Sequence, residues 1–145
     1  SNVKVTPPLR TKNDTKALLK GVKDGVIDII TSDHNPIDIE HKKLEFSHAE
    51  FGTIGLESLF GALNSVLDLE TIIKALTIQP RAIFNQESTT IKKDSTANLT
   101  LFNPDGTSVF LNENILSTSK NSAFLGKKLK GKVYGVFANK KLVLN

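Results

Sequence analysis

The chain has 145 residues, 39% of them apolar and 23% charged, which suits one ordinary folded domain and excludes an intrinsically disordered protein. It contains no cysteine, which excludes disulfides and thiolate metal sites, and no run of about 18 apolar residues that could cross a membrane. The formal net charge is +4, with seven lysines and no acidic residue between Lys120 and Asn145.

The N-terminus has the character of a processed end. No methionine occurs anywhere in the chain, and Ser1-Asn2 is typical of the remnant of a removed tag. We therefore expect the chain to be an excised piece of a longer protein. No apolar secretory segment follows Ser1, and together with the lack of cysteine this predicts a cytoplasmic protein.

The first predicted elements are an extended stretch, a helix and a strand. The prolines at positions 7 and 8 exclude a helix before residue 10. Asn13 or Asp14 is the predicted cap of a helix that continues through Val22. The segment Val26–Thr31 is short, β-branched and almost continuously apolar, which predicts a buried strand of a parallel sheet.

Asp33 is the sharpest candidate for chemistry, because it comes directly after this predicted strand. In a parallel α/β barrel, reactive groups collect at the carboxyl ends of the strands. A carboxylate there can ligate a divalent metal or accept a proton from a metal-bound water. The alternative is that Asp33 only caps the turn that follows, as aspartate often does. Spacing alone does not decide between the two hypotheses.

Three histidines, His34, His41 and His48, are spaced by seven residues, which would place them on one face of a helix. Pro36 and the polar loop around it argue against such a helix, so we interpret the spacing as chance. A hydrolytic zinc site needs three or four protein ligands. The sequence offers no convincing set of that size, and most ligands of any metal site must come from elsewhere.

A long polar loop leads to three predicted helices, at Gly55–Leu67, Glu70–Thr77 and Pro80–Phe84. Gly52 and Gly55 flank the start of the first of these helices. Backbone amides at a helix start can bind an anion such as a carboxylate. The glycines serve equally well to form a turn, and both interpretations stay open.

After Asn85 the pattern changes to the period of two that is typical of strands. Four strands are predicted, with turns at residues 104–106 and 138–139: 97–103, 108–111, 131–137 and 140–144. The organisation predicted is therefore an α/β part at 1–90 and a mostly β segment at 91–145.

The lysine-rich end has two interpretations. It could form a surface for nucleic acid or an acidic partner. It could also consist of solvated lysines on edge strands, where they prevent edge-to-edge pairing. We favour the second, because only Tyr134 and Phe137 lie nearby and no stacking platform accompanies the lysines. We therefore expect no nucleic-acid partner and no membrane contact.

Several stretches together resemble the bacterial dihydroorotases. Lys4-Val5-Thr6-Pro7-Pro8-Leu9-Arg10 resembles their Lys-Val-Asn-Pro-Pro-Leu-Arg segment, and Ser32-Asp33-His34-Asn35-Pro36 resembles the Asp-His-x-Pro-His end of their last barrel strand. Further matches follow in the same order along nearly the whole chain, at residues 40–57, 79–84, 97–99 and 124–133.

The resemblance implies an α/β fold: the C-terminal part of a (β/α)8 metal-dependent hydrolase barrel, followed by strands of a small β-sandwich. It implies a zinc amidohydrolase that interconverts N-carbamoyl-aspartate and dihydroorotate in pyrimidine biosynthesis. Asp33 matches the aspartate that ligates the metal and shuttles the proton of the attacking hydroxide. Phe51 and Gly52 match a pair that helps to hold the substrate.

Two substrate-binding positions depart from the family pattern. Thr6 replaces a substrate-contacting asparagine, and Ile37 replaces a histidine that grips the substrate carboxylate. Isoleucine donates no hydrogen bond, so the loss could weaken binding by about 2–4 kcal/mol, roughly 30- to 1,000-fold. The family's other metal ligands, which include four histidines and a carboxylated lysine, precede this segment. With Asp33 alone, the fragment is expected to bind no zinc and to be inactive.

Three hypotheses follow. The parent protein is a dihydroorotase or related cyclic-amide hydrolase with a small-molecule substrate, which Asp33, Phe51 and Gly52 favour. Alternatively it is a non-catalytic scaffold partner of aspartate transcarbamoylase, which Thr6 and Ile37 favour. The weakest hypothesis is a basic binding module at the lysine-rich end. In all cases the isolated fragment exposes barrel edges, so we expect a homo-oligomer or strand exchange.

Overall fold

The computed structural model describes residues 1–87 and 90–145. Its helices and strands, in chain order, are α1 (Lys12–Lys23), α2 (Ile39–Lys42), α3 (Leu59–Leu63), α4 (Leu69–Ile73), a π-helix (Lys74–Ile78), α5 (Gln79–Ile83), β1 (Leu99–Val109), a 3₁₀-helix (Asn112–Asn114), β2 (Lys128–Ala138) and β3 (Lys141–Leu144). Within these described ranges, no helix is both long enough and apolar enough to span a bilayer.

Helix α1 confirms the first predicted helix but not its predicted cap. Thr11 is the N-cap, and Asp14 lies three residues on, where its carboxylate accepts a hydrogen bond from the Thr11 amide at 2.9 Å. The two side chains form a capping box, in which each satisfies a backbone amide that the helix leaves free. These hydrogen bonds hold the pKa of the Asp14 carboxyl below its ordinary value.

The predicted strand at 26–31 is not formed. The segment is extended, but within the described residues it has no strand beside it. Instead its backbone bonds to helices: the Val26 amide donates to the Gly21 carbonyl of the preceding helix, and the Ile30 amide donates to the Ala75 carbonyl of the π-helix at 3.3 Å. A strand needs a neighbour to pair with. Val26 is 77% exposed, whereas Ile27, Ile29 and Ile30 are half-buried, so the apolar pattern that predicted a buried strand is only partly covered in this chain.

The predicted helix at Gly55–Leu67 is also shorter than expected, because only Leu59–Leu63 is regular and turns flank it on both sides. The next two predicted helices merge into one continuous rod through the π-helix. Pro80 has no amide hydrogen to donate, and the wider π-helical turn before it, closed by the Gln79 amide on the Lys74 carbonyl, accommodates it.

The β segment is an antiparallel sheet in the order β1-β2-β3. Residues 104–106 do not separate two strands as predicted, because they form an irregularity within β1 between Asn103 and Thr107. The turn at 138–139 is confirmed as the hairpin between β2 and β3. Lys128, Lys130 and Lys132 lie on β2, the central strand, so the prediction that these lysines protect an edge is wrong for them.

The hydrophobic core joins the helical part to the sheet. Ile54 packs with Phe110, Ile115 and Leu129, and all four are buried. Helix α3 lies against β2, where Gly131 has φ +86° and an added Cβ would come within 2.8 Å of the Phe60 ring. Only glycine permits so close an approach. The loops around residues 33–37 and 51–55 are thereby fixed against the sheet.

Candidate functional site

Asp33 lies at the end of the extended segment, in the left-handed backbone region with φ 43°. Aspartate tolerates this region better than most residues do. Its side chain is exposed, and the next residue, His34, forms an isolated parallel bridge with Thr53. The geometry therefore offers one accessible carboxylate at the start of a loop that is tied to residue 53.

Asn121, from the stretch between the 3₁₀-helix and β2, joins the two loops of the site. It is buried, and its amide oxygen accepts a hydrogen bond from the Ile37 backbone at 3.2 Å. Its amide nitrogen donates to the carbonyls of Asn35 at 3.1 Å and Gly52 at 3.3 Å. The backbone of Asn121 adds further contacts, accepting from the amide of Ile54 and the hydroxyl of Thr53.

The structure brings Gly52 and Ile37 together. Gly52 has φ 144°, and a Cβ added there would lie 2.7 Å from the Asn35 side-chain nitrogen and 3.0 Å from Ile37 Cγ1. Phe51 is half exposed beside them. Thr6 is exposed and lies outside this cluster, although the nearby Lys4 carbonyl accepts the Gly52 amide at 2.9 Å.

Lys4 and Lys42 hold the loop at residues 38–51 in place. Lys42 is buried, and its ammonium group donates to the carbonyls of Lys4 at 3.2 Å and Glu50 at 2.7 Å. Burial, together with the like charge of Lys4, lowers the pKa of Lys42. The Lys4 ammonium lies over the Phe51 ring at 4.7 Å and donates to the Ser47 carbonyl. The exposed Phe51 ring is thus held by a cation–π contact.

His34 is the centre of a second hydrogen-bonded cluster. Its Nδ1 accepts from the backbone amides of Gly55 at 3.2 Å and Leu56 at 3.3 Å. Its Nε2 lies 3.5 Å from the Ser117 hydroxyl. Ser117 in turn donates both its hydroxyl and its backbone amide, the latter at 2.7 Å, to one carboxylate oxygen of Glu57.

Glu57 carries a pKa below its ordinary value. Burial acts to raise this pKa, but the hydrogen bonds from the Ser117 hydroxyl and amide lower it by more than burial raises it. The second carboxylate oxygen is buried and accepts no hydrogen bond from any residue within 1–87 or 90–145. The group is therefore ionised at neutral pH and held on one side by serine.

The amides that could have bound an anion at the helix start are already engaged. Gly55 and Leu56 donate to His34, so this part of the prediction is resolved in favour of turn formation and imidazole binding. The regular helix begins only at Leu59. An anion would have to displace His34 to reach these donors.

No metal centre is assembled in the parts of the chain that the structure describes, since no three of the histidine, aspartate and glutamate side chains there are grouped to hold an ion. His34 lies in the isolated bridge, His41 in α2 and His48 in a turn, so one helix does not carry them. Asp33 offers a single oxygen donor, whereas a zinc site needs three or four protein ligands. The described residues by themselves do not fit zinc.

Sequence reasoning missed Asn121, Ser117 and the role of Glu57. The first two lie 60 to 86 residues from the residues that they contact, within a polar stretch without periodicity. The only signal was compositional: Asn121 and Ser122 are polar residues directly before the apolar Phe124-Leu125 pair that packs on the core.

No protein-family model matches the chain. It is 40% identical to a dihydroorotase of Caldicellulosiruptor saccharolyticus over 149 aligned positions, covering 99% of this chain and 35% of that protein. It is 41% identical to a dihydroorotase of Carboxydothermus hydrogenoformans over 138 positions, covering 90% of this chain and 32% of that protein. The chain thus spans about a third of the length of these relatives, and the predicted resemblance is confirmed.

Solved structures show the same fold. A D-hydantoinase (dihydropyrimidinase) from Thermus sp. matches 99% of this chain with a TM-score of 0.81 at 23% identity, and the match covers 34% of that protein. The inactive dihydroorotase-like domain of a Chaetomium thermophilum CAD-like multifunctional protein matches 92% of this chain with a TM-score of 0.61, also at 23% identity, and the match covers 36% of that protein. These neighbours are amidohydrolases on a (β/α)8 barrel, so the predicted fold class is confirmed.

Proposed function

We propose that this chain is the C-terminal part of a dihydroorotase-like amidohydrolase whose whole protein interconverts N-carbamoyl-aspartate and dihydroorotate in pyrimidine biosynthesis, in the cytoplasm. The observation that carries the proposal is the 40% identity to a dihydroorotase across 99% of the chain. The geometry supports it, because Asn121 holds the loop that follows Asp33 against the loop that contains Gly52.

The roles we assign follow from the resemblance to dihydroorotases. Asp33 supplies an accessible carboxylate that would ligate the metal, together with ligands from outside this chain, and would carry a proton during hydrolysis. Gly52 and the exposed Phe51 form the wall of the substrate site next to Ile37, and the resemblance assigns a substrate contact to Thr6, which lies outside this cluster. Bound zinc would supply Lewis-acid chemistry in the whole protein, with the remaining ligands from outside this chain. The fragment alone is expected to retain no zinc and to be inactive.

The division proposed is a barrel part at 1–90 and a β-sandwich segment at 91–145. Exposed apolar side chains support a larger parent protein, because they occur on both parts: Leu9, Val26, Phe84, Leu116, Leu142 and Leu144. Exposed apolar surface of this extent usually marks an interface. In the isolated fragment, the same surface is expected to drive association into a homo-oligomer.

A second candidate is a non-catalytic scaffold that associates with aspartate transcarbamoylase. Ile37 favours it: this side chain carries neither charge nor a hydrogen-bond donor, and it lies directly beside Gly52. The Chaetomium thermophilum neighbour is by name an inactive dihydroorotase-like domain of a multifunctional protein. Such a scaffold keeps the loop geometry without the reaction.

The test is an assay of the full-length parent protein with added zinc, followed in both directions, beside an Asp33→Ala variant. The exposed Asp38, which makes no capping hydrogen bond, gives the matched control Asp38→Ala. We expect activity that Asp33→Ala abolishes and Asp38→Ala retains. Absence of activity in the unmodified parent would refute the dihydroorotase proposal, and co-purification with aspartate transcarbamoylase would then favour the scaffold.

A further inference from the structure

The hydrogen bonds of the His34 cluster run in one direction, which follows from which of its groups can donate and which can accept. A backbone amide can only donate, and two such amides, from Gly55 and Leu56, face Nδ1 of His34. Nδ1 must therefore be an acceptor without a proton. A neutral imidazole carries its one proton on the other ring nitrogen, so Nε2 is the donor.

The proton on Nε2 faces an oxygen that is ready to accept it. An ionised carboxylate only accepts, so the Ser117 hydroxyl must give its hydrogen to Glu57. The lone pairs of that hydroxyl then remain for the His34 Nε2–H, 3.5 Å away. The result is a chain of hydrogen bonds in one direction, from the backbone amides through His34 and Ser117 to Glu57.

We infer that Ser117 and Glu57 are positioning residues that fix the ring orientation of His34, whose tautomer the Gly55 and Leu56 amides set, and thereby hold the adjacent Asp33 in its exposed, left-handed conformation. His34 follows Asp33 directly and is the first residue of the loop that is bonded on both sides, to Thr53 through the bridge and to Gly55 through its ring. Restraint of His34 limits how far the Asp33 backbone can rotate. This role for Asp33 rests on the proposed function, whereas the tautomer does not.

The matched control is Ser122, a buried serine that lies five residues after the half-buried Ser117. Its hydroxyl accepts from the Phe124 amide, so it belongs to the packing of the sheet and not to the His34 cluster. Ser122→Ala thus removes a buried hydroxyl from the same stretch without touching His34. Ser117→Ala removes the link, and Ser117→Thr keeps a hydroxyl on the same carbon.

The first measurement is NMR of the 145-residue chain labelled with nitrogen-15 in histidine, at pH 8, where imidazoles are ordinarily neutral. We expect His34 to carry its proton on Nε2, in slow exchange with water, whereas the exposed His41 and His48 exchange freely. Ser117→Ala should speed this exchange about tenfold, because this factor corresponds roughly to the free energy of one hydrogen bond. Ser117→Thr and Ser122→Ala should leave it within about twofold.

The second measurement is the steady-state kinetics of the same variants in the full-length parent. We expect Ser117→Ala to lower kcat about tenfold with KM nearly unchanged, Ser117→Thr to restore kcat, and Ser122→Ala to leave it intact. A proton on Nδ1 of His34, or equal exchange in Ser117→Ala and the unmodified chain, would overturn the inference. An inactive parent would refute the proposed function, while the NMR result would still decide the hydrogen-bond chain.

Discussion

Replacing Asn121 with alanine removes the three side-chain hydrogen bonds that join the loop at residues 35–37 to Gly52. Each such bond contributes about 0.5–1.5 kcal/mol net, and a buried partner left unpaired costs about 1–3 kcal/mol. Of the three partners, Gly52 is buried, Ile37 is half-buried and Asn35 is exposed, so water can replace part of what is lost. We expect a loss of about 2–4 kcal/mol in the free energy of unfolding.

The assay is urea unfolding of the 145-residue chain, followed by circular dichroism, with Asn98→Ala as the control at an exposed asparagine. The control should change the free energy of unfolding by less than about 0.5 kcal/mol. Asn121→Asp should cost at least as much as alanine at pH 7, because a carboxylate cannot donate to the carbonyls of Asn35 and Gly52. A loss below about 1 kcal/mol in Asn121→Ala would refute the claim that this side chain joins the loops.

Two further predictions concern the sheet and the carboxylate. Gly131→Ala should cost about 1–3 kcal/mol more than Gly106→Ala in urea unfolding: both glycines have positive φ, but only at Gly131 would a Cβ press on Phe60, and equal losses would contradict this. Glu57 has a pKa lowered below 4.5, so its charged form stabilises the fold above that pH and this stability is lost as the pH falls through the lowered pKa. The difference in unfolding free energy between the unmodified chain and Glu57→Gln should therefore narrow below about pH 4.5, and a difference constant from pH 6 to 3 would rule out a hydrogen-bonded carboxylate at Ser117.

Local chemistry explains which elements were predictable. The helix at 12–23 needs only its capping residues and its own backbone, and the hairpin of β2 and β3 needs only its turn, so both were expected from the sequence. The segment at 26–31 has an equally strong strand pattern, but a parallel strand forms only beside neighbours. Its apolar pattern therefore fits pairing with neighbouring strands in a larger barrel. Within this chain the segment stays extended and unpaired along most of its length.

The same reasoning separates the predicted from the missed site residues. Asp33, Gly52 and Ile37 belong to short motifs, and Gly52 and Ile37 do lie together. Asn121 and Ser117 act across 60 to 86 residues of sequence, through hydrogen bonds that have no periodicity. For a single polar residue in an irregular stretch, the sequence does not indicate which carbonyl its side chain will bind. Only the fold brings these partners within bonding distance.

The hydrophobic core packs across the proposed division of the chain near residue 90. Ile54, just after the Gly52 loop, is packed against Phe110, Ile115 and Leu129 of the β segment. Asn121 binds Thr53 in the loop at residues 51–55, and Ser117 contacts the His34 ring and Glu57. Loop position in the candidate site therefore depends on the β segment, because without it the Gly52 carbonyl loses Asn121 and Nε2 of His34 loses Ser117, while Gly55 and Leu56 still bind Nδ1. Substitutions of Asn121 and Ser117 should therefore alter the site as strongly as changes within the loops themselves.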